Sequence, residues 1–187
     1  CNQEFEKLMT ADKFIARSDY KYLLDKYKDV YTFFDSAKKA KTLSYYCKQN
    51  HVQEAEINKF LCFYEDIVDL KKGSSIFQEH NESYIVDHLH SEKSYLDRIL
   101  YEVDPNILLD DEQRRVVLSD EDYTLIIAGA GAGKTTTVAA KVRYLVEKRH
   151  IDPKQILVIS FTNKAVGELK ERINDGLLIP CPITTFH

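Results

Sequence analysis

A loop of small residues that ends in lysine and threonine is the part of this sequence best suited to chemistry. It comprises Ala128, Gly129, Ala130, Gly131, Ala132, Gly133, Lys134 and Thr135. Small residues let the backbone curl tightly, so that successive N–H groups point at phosphate oxygens. Lys134 would then reach the β- and γ-phosphates of a nucleoside triphosphate, and the Thr135 hydroxyl would hold Mg²⁺. The pattern predicts a phosphate-binding loop.

The segments on either side of this loop support that prediction. The apolar run at residues 123–128 (YTLIIA) predicts a buried strand, and residues 134–148 predict a long helix. Such a helix begins at the phosphates and offers them the positive end of its dipole. A glycine-rich turn that binds nothing is the alternative, and it does not account for a strand before the loop and a helix after it.

The rest of the second half predicts an alternation of strands and helices. A turn at residues 104–106 (DPN) opens it, and a short helix at 111–118 follows. Beyond the long helix, residues 156–160 (ILVIS) predict a second strand, 163–174 another helix, and a third strand begins near Ile183. Alternation of this kind is typical of α/β proteins with a parallel sheet and right-handed crossovers. At His187 that predicted sheet is unfinished.

Residues 1–103 predict helices almost throughout. Large apolar side chains recur at helical spacing in residues 20–34, again in 57–68 and again in 84–100. The prediction is a helical accessory region, a bundle or a helical hairpin, followed by an α/β region at residues 104–187. A basic cluster at residues 38–41 (KKAK) could contact nucleic acid or a protein partner, although a solvated face is the simpler interpretation.

Composition narrows the class of protein. The 187 residues carry a formal net charge of −4, so a nucleic-acid contact must come from a local surface. The four cysteines are scattered without a CxxC pair, which favours reduced thiols in a cytoplasmic protein over metal ligation. No apolar run approaches the roughly 20 residues of a membrane span. Because the chain starts at Cys1 without an initiator methionine, we expect an excerpt of a longer protein.

Four segments of the second half resemble the motifs of UvrD/Rep-type superfamily 1 helicases. Residues 109–117 (LDDEQRRVV) are similar to their Q motif, and residues 128–135 to their motif I. Residues 159–169 (ISFTNKAVGEL) resemble motif Ia, and residues 184–187 (TTFH) resemble motif Ib. Residues 80–85 (HNESYI), followed by residues 95–97 (YLD), more loosely resemble the helical segment before the motor in helicase IV members of the family. The resemblance implies a RecA-like first motor domain, truncated at its C-terminal side.

The resemblance also implies roles for individual residues. Gln113 would bind the adenine edge, because a carboxamide donates and accepts hydrogen bonds at once. Some relatives have arginine after the threonine of motif I, where this chain has Thr136, so base binding would depend more on Gln113, Arg114 or a group elsewhere. The residues implied to contact single-stranded DNA are Phe161, Thr162, Asn163, Thr185, Phe186 and His187. Without the resemblance, core packing would be the simpler interpretation of both phenylalanines.

The implied activity is that of an ATP- and Mg²⁺-dependent DNA helicase that moves 3′ to 5′ on single-stranded DNA. Residues 1–187 stop before the Walker B carboxylates, the arginine finger and the second RecA-like domain of such motors, so we expect negligible ATP hydrolysis by this chain alone. One alternative is a helicase-like ATPase that remodels a protein complex, such as a transcription complex, through its helical region. Another is that residues 1–103 form an interaction module for a protein partner.

Overall fold

The architecture is known from a computed structural model, which describes residues 1–129 and 131–186, without the side chains of residues 70–75. The chain is mostly helical, with a small parallel sheet. The α-helices are α1 (Asn2–Met9), α2 (Arg17–Lys39), α3 (Leu43–Asn50), α4 (Glu54–Val68), α5 (Leu70–Ser91), α6 (Lys93–Leu96), α7 (Asp111–Leu118), α8 (Lys134–Glu147) and α9 (Asn163–Lys170). The strands are β1 (Val158–Ser160) and β2 (Ile183–Thr185). Within the described residues, no helix combines the length and the apolar character that crossing a membrane requires.

Backbone contacts divide the chain into two packing units. The first contains residues 1–84 and 120–124, and the second contains residues 85–119 and 125–187. Residues 85–103, which the sequence groups with the helical region, therefore pack within the second unit. The predicted division into a helical region at residues 1–103 and an α/β region at residues 104–187 stays a prediction.

The first unit is built around aromatic and aliphatic side chains from α1 to α5. Tyr31 stacks on Tyr64 with ring centroids 4.2 Å apart, and Tyr20 stacks on Phe77 at 4.4 Å. The Tyr64 hydroxyl donates to the carbonyl of Leu24 at 3.0 Å. Stacked rings bury a large area, and the tyrosine hydroxyl keeps a hydrogen-bond partner at the edge of the core. The helical pattern of the first half is thereby confirmed as interhelix packing.

Two side chains, Asn81 and Asp122, each make a pair of hydrogen bonds that hold irregular segments of the first unit. Asn81 accepts from the backbone N–H of Ile15 at 2.8 Å and donates to the carbonyl of the same residue at 2.9 Å. Asp122 accepts from the backbone N–H of Ser18 and from its hydroxyl, both at 2.7 Å. Asp122 thus accepts from the backbone N–H of Ser18 in the first turn of α2, where the helix itself offers no acceptor.

The second unit packs α7 against α8. Val117, Leu118, Ala139 and Ala140 are fully buried. The ammonium group of Lys141 donates to the carbonyls of Val117 and Ser119, which lie at the end of α7. Since the last carbonyls of a helix lack intrahelical partners, this lysine satisfies the C-terminus of α7 from the neighbouring helix. The position of α7 beside α8 is therefore fixed by both packing and charge.

A cluster of charged groups surrounds the C-terminal half of α8. Arg143 donates to the carbonyl of Ile99 at 2.9 Å and to the carboxylates of Glu102 and Glu147. Hydrogen bonding to Arg143 lowers the pKa of Glu102 below its ordinary value. Burial raises the pKa of Tyr95, and its 2.9 Å hydrogen bond to Glu147 adds to the shift.

The sheet consists of β1 and β2, which run parallel and are connected through α9. Val158 pairs with Ile183 and Ser160 pairs with Thr185, so the two strands end at the same level. The predicted strands at 156–160 and near Ile183 are thereby confirmed, as are the helices predicted at 111–118 and 134–148.

The strand predicted at residues 123–128 was wrong. This segment has no strand partner among the described residues, and its backbone is irregular. Leu125 is 85 % exposed and Ile127 is 90 % exposed, so the segment is not buried. A strand of continuous apolar residues depends on neighbours that pair with its edges and cover both its faces. The apolar composition of residues 123–128 is typical of a buried strand. The described residues, however, provide no strand that pairs with this segment and no element that covers it.

Candidate functional site

The phosphate-binding loop is shaped by glycines in the left-handed region of backbone conformation. Gly131 has φ 77° and Gly133 has φ 75°, which favour glycine because a Cβ would be strained there. A Cβ added at Gly129 or Gly131 would meet no atom within 4 Å. The loop therefore curls around open space, as a cradle for phosphate groups must. Ala130 lies outside the described residues.

Helix α8 starts directly after this loop without a side-chain cap. Gly133 is its N-cap residue and has no side chain with which to accept a hydrogen bond. The N–H of Thr137 makes the first described bond of the helix, to the Gly133 carbonyl at 2.8 Å. The N–H groups of the first turn lack intrahelical acceptors, and together with the dipole they favour an anion. Lys134, Thr135 and Thr136 form that first turn.

Lys134 lies at the open side of the loop. Its ammonium group donates to the carbonyl of Ala128 at 2.9 Å and to that of Gly129 at 2.6 Å. Both acceptors belong to the loop itself, and the lysine side chain is solvent-exposed. An ammonium group held here by neutral carbonyls can exchange them for charged phosphate oxygens, which are stronger acceptors. The predicted phosphate-binding role of Lys134 stays a prediction.

Gln113 contacts the loop from α7. Its side-chain N–H group donates to the carbonyl of Ala132 at 3.4 Å, and its oxygen accepts from the backbone N–H of Asp110 at 3.0 Å. Asp110 in turn accepts from the Gln113 N–H at 2.8 Å, which completes a capping box at the start of α7. Gln113 is therefore oriented by its own helix cap and lies against the loop. The sequence analysis missed Asp110, although aspartate followed three residues later by glutamine is the signature of this cap.

Arg114 faces a different environment from Gln113. It donates to the Leu109 carbonyl at 2.9 Å and forms an ion pair with Asp97 at 2.7 Å. With both bonds made, the guanidinium group is engaged within the protein. The predicted role of Arg114 in base binding stays a prediction.

A second arginine beside the loop was not anticipated from the sequence. Arg172 donates to the Thr136 hydroxyl at 2.9 Å. It lies in a π-helical turn, Glu171–Gly176, which continues α9. Such turns insert a residue into a helix and occur frequently at functional sites. Arg172 therefore contacts Thr136, the position where some superfamily 1 helicases carry an arginine of their own.

The predicted DNA-contacting residues lie where β1 and β2 end. Phe161 follows β1 and is 91 % exposed, whereas Phe186 follows β2 and is 77 % exposed. Since Ser160 pairs with Thr185, the two phenylalanines occupy equivalent positions at one edge of the sheet. Neither side chain is packed in a core formed by the described residues, and the predicted DNA contact stays a prediction. The carboxyl edge of a parallel sheet is where ligands bind in open α/β folds.

The polar residues of the same edge have distinct local roles. Thr162 is the N-cap of α9, and its hydroxyl accepts from the backbone N–H of Ala165 at 3.2 Å. Asn163 begins α9 and is exposed, whereas Thr185 ends β2 and is partly buried. His187 lies outside the described residues. Among the residues described, no group of three or more His, Cys, Asp or Glu side chains is arranged to hold a metal ion.

Comparison with known proteins matches the part of the chain that carries these features. Residues 109–187 match the UvrD/REP helicase N-terminal domain. A probable DNA helicase II homolog of Mycoplasma capricolum subsp. capricolum is 48 % identical over 84 residues, which are 43 % of this chain and 12 % of the relative.

Two further relatives carry more specific names. The ATP-dependent DNA helicase UvrD1 of Mycobacterium leprae is 42 % identical over 98 residues, 50 % of this chain and 12 % of the relative. The ATP-dependent DNA helicase PcrA of Bacillus subtilis is 40 % identical over 79 residues, 40 % of this chain and 11 % of the relative. The chain thus spans about an eighth of the length of these relatives or less.

Proposed function

Because residues 109–187 match the UvrD/REP helicase N-terminal domain, we propose that the whole protein is an ATP-dependent DNA helicase. It would use ATP and Mg²⁺ to move along single-stranded DNA, with the 3′-to-5′ polarity that the resemblance implies. The observation that carries this proposal is the loop at residues 128–135, with Lys134 at its open side and Gln113 against its backbone. The finer resemblance to helicase IV stays a prediction.

The residues of the loop fit a nucleoside triphosphate. The cradle around Gly129 and Gly131 is open, and the first turn of α8 has no side-chain cap. Backbone N–H groups at the start of α8 and the ammonium group of Lys134 would bind the phosphates, and Gln113 would bind the adenine edge. Thr135 would hold Mg²⁺, which neutralises charge on the phosphate oxygens when it is bound.

The exposed edge of the sheet supports the DNA part of the proposal. Phe161 and Phe186 would each stack on a base, because an aromatic face stacks without regard to sequence. Thr162, Asn163, Thr185 and His187 would contact the sugar or the phosphates. Stacking of this kind suits a motor that must move over any sequence.

A RecA-like fold follows from the same proposal. In the whole protein, further parts of the motor domain would cover Leu125 and Ile127, whose exposure is otherwise unusual for aliphatic side chains. Residues 1–103 would be an accessory region, and the protein would be cytoplasmic with reduced thiols, consistent with four free cysteines.

The first test is the steady-state ATPase activity of the whole protein, with and without single-stranded DNA. We expect strong stimulation by DNA, and Lys134→Ala should lower the stimulated rate by about 100-fold or more, because a charge-stabilising group at the phosphates is lost. Lys154→Ala is the matched control, since Lys154 is exposed and lies outside the loop. An ATPase indifferent to DNA would contradict the proposal and favour a motor that remodels a protein complex.

A further inference from the structure

An open cavity in the first unit lies between α2 and α3, far along the sequence from the phosphate-binding loop. Its volume is about 740 Å³, within the range of ligand pockets in proteins. Phe33 and Ala37 of α2 and Tyr45 and Gln49 of α3 contribute to its walls. Phe33 is 52 % exposed and Tyr45 is 69 % exposed. The cavity, called the α2–α3 groove below, therefore presents aromatic side chains to solvent.

The aromatic wall of the α2–α3 groove is held in place by edge contacts. The ring of Phe33 lies 5.3 Å from that of Tyr46 at an angle of 68°, and 5.1 Å from that of Phe34 at 74°. These rings meet edge to face rather than in a stack. A ring that is fixed by its neighbours loses little conformational entropy when a flat group stacks on it.

Exposed lysines neighbour lining residues of the α2–α3 groove in the sequence, although no lysine lines the groove itself. Residues 36–53 contain four lysines and no aspartate or glutamate. Lys39 pairs with Asp35 at 2.7 Å, whereas Lys38, Lys41 and Lys48 are exposed and form no ion pair with the residues that the structure describes. Lys41 lies in the chain between Ala40 and Thr42, which line the groove.

Several carboxylates oppose this charge. Asp35 pairs with Lys39, Glu54 accepts from the hydroxyl of Ser44 in α3 at 2.6 Å, and Asp29 lines the α2–α3 groove. Lys38 and Lys41, which form no ion pair among the described residues, lie at the turn between α2 and α3, so positive charge is in excess there. An anionic partner would therefore be attracted to that turn.

We propose that the α2–α3 groove binds single-stranded nucleic acid, as a contact separate from the edge of the sheet. Phe33 and Tyr45 stack with bases, and Lys41 and Lys48 neutralise phosphates. Exposed aromatic rings with exposed lysines nearby in the chain are typical of sequence-independent binding of single strands. An acidic protein would use the lysines but would leave the aromatic wall without a matching group. The inference goes beyond the proposed motor activity and does not depend on ATP.

The test measures binding of a fluorescent oligothymidylate to residues 1–187 by anisotropy, at several salt concentrations. All proteins carry Phe161→Ala and Phe186→Ala, so that the sheet edge does not contribute. We expect the double variant Phe33→Ala/Tyr45→Ala to bind about 30-fold more weakly or worse, as the loss of two stacked bases predicts. Tyr22→Ala is the matched control, because Tyr22 is 64 % exposed on α2 but does not line the groove.

A lysine pair tests the electrostatic half of the proposal. Lys41→Gln/Lys48→Gln should reduce the dependence of log affinity on log salt by about 0.7 for each lost phosphate contact. Lys21→Gln, an exposed lysine at the other end of α2, should leave that slope unchanged. Crosslinks from a thiothymidine-substituted oligonucleotide should map to residues 33–50.

Two outcomes would overturn the proposal. One is oligonucleotide affinity that is equal in the groove variants and the controls, with crosslinks elsewhere. The other is binding of an acidic polyglutamate peptide that requires the groove residues while oligothymidylate does not, which would assign the groove to a protein partner. Circular dichroism of each variant checks that the helices are intact.

Discussion

At the scale of single residues, the candidate site depends on a few side chains with more than one contact. Lys134 is bound to two loop carbonyls, and Gln113 connects the cap of α7 to the Ala132 carbonyl. These contacts hold the loop in place, and an organised loop would lower the entropy that binding of the proposed nucleotide must overcome.

Alanine substitutions of the loop glycines separate backbone strain from contact with Gln113. A Cβ at Gly133 would lie 2.4 Å from the side-chain nitrogen of Gln113 in a backbone with φ 75°, whereas one at Gly131, with φ 77°, would meet no atom within 4 Å. Both Gly131→Ala and Gly133→Ala should lower the free energy of unfolding by about 1–2 kcal/mol through strain. Only Gly133→Ala should also displace Gln113.

Gly129→Ala serves as the control for backbone strain alone, because its Cβ would meet no protein atom within 4 Å and its φ is not positive. Chemical denaturation measures the strain, and the affinity for a fluorescent ATP analogue measures the displacement of Gln113. Equal affinities of the Gly131→Ala and Gly133→Ala variants would contradict a role for the Gln113 contact in nucleotide binding.

The cysteines should differ in reactivity towards a thiol reagent at pH 8. Cys1 and Cys62 are exposed, whereas Cys47 and Cys181 are buried. Burial raises the pKa of Cys181 above its ordinary value of 9.0, so the reactive thiolate is suppressed. Mass spectrometry of labelled peptides should show Cys62 modified first and Cys181 only after denaturation.

The raised pKa of Cys181 also makes stability depend on pH. Its contribution to the free energy of unfolding is fully present while the pH is below the ordinary pKa of a thiol, and it is lost as the pH rises through the higher pKa of the folded state. Labelling of Cys181 in the native protein as fast as that of Cys62 would contradict its burial.

At the scale of elements, helix caps determine how the site is presented. Asp110 and Gln113 exchange two hydrogen bonds at the start of α7, and the same glutamine then contacts the loop that precedes α8. The capping box of α7 thereby also orients Gln113 for its contact with the loop before α8. Lys141 adds a second connection by donating to the last carbonyls of α7.

Removal of the cap should weaken both the helix and the site. Asp110→Ala deletes the acceptor for the Gln113 N–H and should lower the free energy of unfolding by about 1 kcal/mol. We also expect weaker binding of ATP, because Gln113 loses the contact that orients it. Glu112→Ala is the matched control, since it removes an acidic residue from the same first turn without changing the cap. Identical urea denaturation curves for the two variants would count against the capping box.

Elements whose signals are local could be predicted from the sequence. Helices α7 and α8 follow from periodicity and from the residues at their ends, and β1 and β2 lie within short apolar runs. Residues 123–128 have an equally strong apolar signal, but a strand exists only through partners, and those are not encoded in the segment itself.

In the candidate site, too, local patterns could be predicted from the sequence and contacts between distant segments could not. The loop and Lys134 could be predicted because the loop pattern is contiguous, and Gln113 because its segment resembles a family motif. Arg172 could not, because its contact with Thr136 spans 36 positions and depends on a π-helical turn that interrupts α9. Periodicity assumes a regular helix and therefore misplaces every side chain beyond such a turn.

At the scale of the whole molecule, the distribution of charge matters more than its sum. The chain has a net charge of −4 and a calculated isoelectric point of about 5.9, yet residues 36–53 are exclusively basic among their charged side chains. A polyanion is therefore attracted only to particular surfaces, and such attraction weakens as salt is added. Any nucleic-acid contact of this protein must be measured surface by surface.

Residues 1–187 on their own should bind ATP without hydrolysing it at a significant rate. Phosphoryl transfer requires a positioned water, a held metal and neutralisation of developing charge at the same time, whereas this chain offers a phosphate-binding loop. Equilibrium binding of a fluorescent ATP analogue and release of inorganic phosphate can be measured on the same sample. Rapid phosphate release that is abolished by Lys134→Ala would show that the chain is catalytically sufficient.

Because β1 and β2 end at the same level, the residues that follow them lie side by side across the sheet. Neighbouring strands lie about 4.8 Å apart, so Phe161 and Phe186 are carried side by side across the sheet rather than one after the other along it. A polymer that places successive bases on both rings must therefore cross the strands. Single-stranded DNA bound as proposed would therefore run across β1 and β2, roughly perpendicular to the direction of the strands.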